Sequence, residues 1–78
     1  MSSSLAEIHP GKKVIVSGID NSHITTKLLE LGFIAGTVIE VIFSAPFRDP
    51  IAIELNGSVI SLRLDEASLI QVEKMANS

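Results

Sequence analysis

From Ile51 to Leu64 the chain alternates apolar and polar positions about a two-residue break. Ile51, Ile53 and Leu55 are interleaved with Ala52 and Glu54, and Ile60 and Leu62 with Val59 and Ser61. The break is Asn56-Gly57, a pair that supplies the two positive-φ residues of a type I′ turn. Such a turn sets Leu55 opposite Ser58, Ile53 opposite Ile60 and Ile51 opposite Leu62. Turn and pattern thus dictate one register, with the large apolar residues on one face and Glu54, Val59 and Ser61 on the other. Upstream, Lys13–Ser17 is rich in β-branched residues and predicts a strand, and Gly18 near its end predicts a bulge or a close backbone approach. Val38–Ser44 predicts the longest strand. Ile39, Val41 and Phe43 share one face, and Val38, Glu40 and Ile42 the other. Both faces are substantially apolar, which predicts a strand that is central or covered twice. Between these two strands the period changes. Ile24, Leu28 and Leu31 fall on one helical stripe, with Leu29 about 100° off it. Asn21 or Ser22 is the expected cap, and Gly32 is where a left-handed C-terminal cap belongs. A short helical turn at Ser4–Glu7, another at Asp65–Ser68 capped by Asp65, and a closing strand over Leu69–Glu73 complete the expected elements. Ala45–Pro50 is a loop stiffened by Pro46 and Pro50.

The expected fold is therefore all-β with one short inserted helix. About five strands this short must hide their edges, and curling into a small β-barrel does so. With 78 residues, the whole chain is expected to form one domain, its core over 5–73 and a polar tail over 74–78. A chain of this size buries only about 60% of its unfolded surface, so the core must be dense in apolar residues. The hydrophobic fraction is 46%. That surplus either scatters over the surface or gathers on a partner surface. The absence of cysteine excludes a disulfide scaffold, an iron–sulfur cluster and a thiolate zinc site, and suits a reducing cytoplasm. Met1–Leu5 lacks the basic region and apolar run of a signal peptide, and the longest apolar stretches fall far short of the roughly 20 residues of a membrane helix. The net charge is −3, with six Lys and Arg spread along the chain and no Trp or Tyr. The footprint of nucleic-acid binding is missing.

The ordered set Leu28-Leu29-Glu30-Leu31-Gly32-Phe33-Ile34-Ala35-Gly36-Thr37, Ala45-Pro46-Phe47-Arg48-Asp49-Pro50-Ile51, Leu62-Arg63, Glu66-Ala67 and Ile70-Gln71-Val72-Glu73 resembles the FeoA family over roughly residues 5–73. The resemblance implies an SH3-like barrel in the cytoplasm that assists the membrane ferrous-iron transporter FeoB by binding its cytosolic part. It supplies no catalytic set and no cofactor. Thr26-Lys27 stands where the family usually has Arg-Arg, Ala35 where it has Pro, and Phe47-Arg48 where it has Leu-Gly. A similar domain ends iron-dependent repressors of the DtxR type, so a regulatory domain of such a repressor is the second reading. A repressor fragment would lack a natural start, whereas this chain begins with Met1.

The candidate chemistry is sparse. His9 and His23 are the only histidines and neither sits in a ligand-spaced motif. Asp20 near His23 offers two ligands, too few to hold zinc or iron well, so a weak metal-binding chaperone is a third reading. Gly32 to Gly36 lacks the Gly-Lys-Ser/Thr ending of a phosphate loop and reads as a cap plus a turn. An SH3-like barrel with no Trp or Tyr cannot build the usual aromatic groove for proline-rich peptides. The remaining candidates form a protein-binding surface. One part is the outer side of the helix with Lys27 and Leu29; the other is the rigid loop of Pro46, Phe47, Arg48 and Asp49. Phe47 either anchors a partner or folds back to plug the barrel end. Leu29 either meets a partner or packs against the N-terminal segment.

Overall fold

The structure is a computed structural model that describes residues 3–75, with the side chain of Arg48 outside the description. Six antiparallel strands form one sheet: β1 (Ser3–Ser4), β2 (Lys13–Ile19), β3 (Val38–Ser44), β4 (Ile51–Leu55), β5 (Ser58–Leu62) and β6 (Ile70–Lys74). Their spatial order is β1-β6-β2-β3-β4-β5. The expected five strands are all present, joined by the two-residue β1 at the N-terminus. Lys74, expected in a polar tail, belongs to β6, and residues 76–78 of that expected tail lie outside the description. The barrel differs from expectation in one respect. The ladder does not close, so β1 and β5 remain its edges.

The hairpin follows the register that its turn dictates. Ile51 pairs with Leu62, Ile53 with Ile60 and Leu55 with Ser58, and Asn56 and Gly57 sit at φ 51° and 85°. Gly18 marks a bulge, where the β2–β6 register shifts between Val16 and Gly18. A second bulge was not foreseen. The β3–β4 register shifts between Val41 and Phe43, and this turns Phe43 away from the face of Ile39 and Val41. Those two are buried, while Phe43 is 57% exposed. β3 is central, between β2 and β4, but it is not covered twice, because Val38 and Ile42 also face solvent.

Helix α1 (Thr25–Leu31) starts two residues later than a Ser22 cap implies, with Ile24 in the cap position. Ser22 does accept a backbone N–H, from Ile24 at 3.2 Å. Its own N–H donates to Thr25 Oγ1 at 2.8 Å, so the pair closes a turn ahead of the helix. Leu28 is buried and Ile24 half-buried, but Leu31 is exposed. Phe33, just beyond the cap, is buried, while Leu31 stays outside. Gly32 adopts φ 115° as the C-cap. A second short helix, α2 (Leu64–Ala67), begins one residue before Asp65, which is thus not its cap. Its entry is held by Arg63 N–H donating to Glu66 Oε1 at 2.9 Å. The core gathers Leu5, Val16, Phe33, Val41, Ile53 and Ile70, all at most 1% exposed, around the inner face of the sheet. Among the described residues, no helix is long and apolar enough to cross a membrane.

Candidate partner-binding surface

α1 is seven residues long and contains Thr25 and Thr26, so packing rather than propensity holds it. Buried Leu28 fixes the helix against the core, and the wheel then turns Lys27 and Leu29 outward. Lys27 is exposed, and Leu29 is 43% exposed. Leu29 thus keeps a large part of its surface in solvent. Leu31 and Ile34 add exposed apolar surface at the same end of the helix.

The Ala45–Pro50 loop is held from both sides. Ala45 N–H donates to the Pro50 carbonyl at 3.0 Å, which closes the loop across its base. Asp49 Oδ1 accepts the Leu64 N–H at 3.0 Å, which ties the loop to the first turn of α2. This contact gives Asp49 a structural task that the sequence reading, which grouped it with partner contacts, did not foresee. Between these ties Pro46 is exposed and Phe47 stands 97% exposed. Phe47 does not plug the end of the molecule. Its backbone lies at φ 66°, ψ 12°, the left-handed region that a bulky residue seldom adopts.

The two parts do not converge. Gly32, the α1 cap, lies beside Leu55, since a Cβ built on it would come within 2.7 Å of Leu55 Cδ2. The Phe47 loop enters β4 at Ile51, the other end of the strand. Helix and loop are therefore set apart by the length of β4, roughly 13 Å along the strand. β3 spans the same distance, and its exposed residues Val38, Ile42 and Phe43 were missed as surface. No sequence signal reveals them, because an apolar run on both strand faces also describes a doubly buried strand.

The polar groups also fall differently from the sequence reading. Lys74 joins the adjacent pair Lys12 and Lys13, distant from it in the chain, in lining one shallow groove with His9 and Glu7, a local basic cluster that linear spacing concealed. Asp20 Oδ2 accepts from Gln71 Nε2 at 3.2 Å, and His23 is exposed. Among the described residues, no three of the His, Cys, Asp and Glu side chains are grouped as a metal site requires.

The model of the FeoA domain matches residues 3–74. The Fe(2+) transport protein A/Fe(2+) transporter FeoB fusion protein of Porphyromonas gingivalis is 32% identical over 75 residues, a match that covers 95% of this chain and 9% of that protein. The chain thus spans about a tenth of the length of that curated relative. Among solved structures, a FeoA-like protein from Clostridium acetobutylicum superposes with a TM-score of 0.89 at 39% identity, covering 95% of this chain and 87% of the other. The zinc complex of Stenotrophomonas maltophilia FeoA, described as a prokaryotic SH3 domain protein, gives 0.81 at 24% identity over 90% and 88% of the two chains. That last likeness speaks for the SH3-like fold alone. The family model spans nearly the whole chain, so the chain belongs to the FeoA family, which is associated with ferrous iron transport.

Proposed function

We propose that this chain is a non-enzymatic, cytoplasmic accessory protein of ferrous iron uptake that binds the cytosolic part of FeoB. The Porphyromonas gingivalis relative supports the choice of partner, because its name joins the transport protein A and the transporter FeoB in one fusion. The observation that carries the binding surface is Phe47. A phenyl ring 97% exposed on a left-handed backbone disfavours the isolated protein twice, through apolar exposure and through strain. A partner that buries the ring recovers the first, and backbone strain of this kind clusters at functional positions. The ties through Ala45 and Asp49 hold the loop before binding, so little entropy is lost on docking. Pro46 and Arg48 flank the ring in the chain. Lys27 and Leu29 form a second contact at the far end of β4, which suits a partner wide enough to span both ends.

Titration calorimetry of the cytosolic part of FeoB with this protein tests the reading. The wild-type chain binds, and Leu29→Asp weakens binding while leaving the circular dichroism and thermal midpoint unchanged. Undiminished binding by a folded Leu29→Asp variant removes α1 from the interface. No binding by the wild-type chain removes the transporter as partner.

A further inference from the structure

The sheet has two edges of very different kind. β1 is two residues long, which is itself protection, since very short edge strands offer little to pair with. β5 is five residues long and reads Ser-Val-Ile-Ser-Leu. It carries none of the usual devices against pairing: no charge, no proline and no bulge, and its register against β4 is unbroken.

The turn fixes which backbone groups of β5 are free. A two-residue type I′ turn makes its flanking residues, Leu55 and Ser58, a hydrogen-bonded pair. Alternation then makes Ile53–Ile60 and Ile51–Leu62 hydrogen-bonded pairs, and Glu54–Val59 and Ala52–Ser61 pairs that are not. The N–H and C=O of Val59 and of Ser61 therefore point away from β4. No hydrogen bond to either residue is present on that side among the described residues, and both side chains are exposed, Val59 at 65%.

We propose that β5 pairs antiparallel with β5 of a second copy of this chain, about a two-fold axis through Ile60. In that register Val59 of each copy faces Ser61 of the other. All four free groups of each strand are then satisfied, because each Val59–Ser61 pair exchanges both of its bonds. Sliding the strands by two residues brings in either Gly57, which lies in the turn at φ 85°, or Arg63, whose N–H is already given to Glu66. The Ile60 register is thus the one that uses every group. It also continues the half-buried Ile60 row across the axis. The two Glu54 carboxylates stay three strand spacings apart, roughly 14 Å, beyond the ~8 Å screening length of physiological salt. The contact is isologous and consumes the one long edge of each copy, so it ends at a dimer and does not grow into a fibre.

Sedimentation velocity on the intact chain from about 1 μM to about 1 mM tests this, together with amide hydrogen exchange read by nuclear magnetic resonance. The mass rises from 8.3 kDa to twice that value, and the Val59 and Ser61 amides slow as it does. Ser61→Pro and Val59→Pro each remove an N–H that β4 does not use, so the hairpin survives and dimerisation is lost. Should one proline variant fail to fold, the other and the wild-type exchange pattern decide. A monomer at every concentration overturns the proposal, as does a dimer that persists in a folded proline variant or leaves those two amides fast. Amides that slow only when the cytosolic part of FeoB is added assign the edge to that partner and overturn self-pairing.

Discussion

At the scale of single residues, two positions hold left-handed backbone for opposite reasons. Gly32 meets its φ of 115° without strain because it lacks a side chain, and its closeness to Leu55 leaves no room for one. Gly32→Ala is expected to destabilise the fold by about 1–3 kcal/mol, from left-handed strain and the displaced Leu55 side chain; the shift in midpoint on urea unfolding measures it. Phe47 occupies the same region at φ 66° with a ring that is exposed rather than packed. Glycine relieves that strain, so Phe47→Gly is expected to stabilise the isolated chain by a few tenths to about 1 kcal/mol, net of glycine's greater unfolded-state entropy. A thermal midpoint that falls would mean the ring supports the fold after all. Of these two positions, only Gly32 was legible from the sequence. A glycine after an apolar helical stripe announces its cap, but nothing in Pro-Phe-Arg-Asp-Pro states that the ring will point outward on a strained backbone.

At the scale of elements, legibility followed the range of the determinants. The β4–β5 hairpin was readable to the residue because its turn and its alternation are local and agree. The bulge in β3 was not, because it arises from pairing with β4, and it moved Phe43 from the expected core face to the surface. The α2 entry was misplaced for the same reason. Asp65 looked like the cap, but Asp49, a carboxylate fifteen positions before Leu64, accepts the Leu64 N–H. Pairing also sets Glu40 directly opposite Glu54 across β3 and β4, where like charges disfavour the ladder. Glu54→Lys turns this into an attractive pair and is expected to stabilise the sheet by about 0.2–1 kcal/mol. The gain shrinks in high salt, because the pair is at the surface. Denaturant midpoints at low and high salt check both statements, and a loss of stability would contradict the assigned register.

At the scale of the whole molecule, the chain must be stable on one small core while leaving Leu29, Phe43 and Phe47 in water. A domain of this length has roughly 4–12 kcal/mol of stability, and Phe33→Ala, at a fully buried ring, is expected to remove about 3–5 kcal/mol of it. Urea unfolding should therefore show a sharply lowered midpoint for that variant. The surplus of apolar residues seen in the composition resolves, in the structure, into exposed positions at both ends of β4 and along β3. The cluster of Lys12, Lys13 and Lys74 shows the same limit of linear reading, since only the fold brings them to one groove. The central claim is that Phe47 is held out of the core in order to be buried by the transporter. The most direct test compares wild type and Phe47→Gly for calorimetric affinity to the cytosolic part of FeoB, with the stability of each measured alongside. The account predicts that the variant is at least as stable as wild type and binds about 30-fold or more weakly, the loss expected of an aromatic anchor worth about 2 kcal/mol. Equal affinity in a stably folded Phe47→Gly would contradict it.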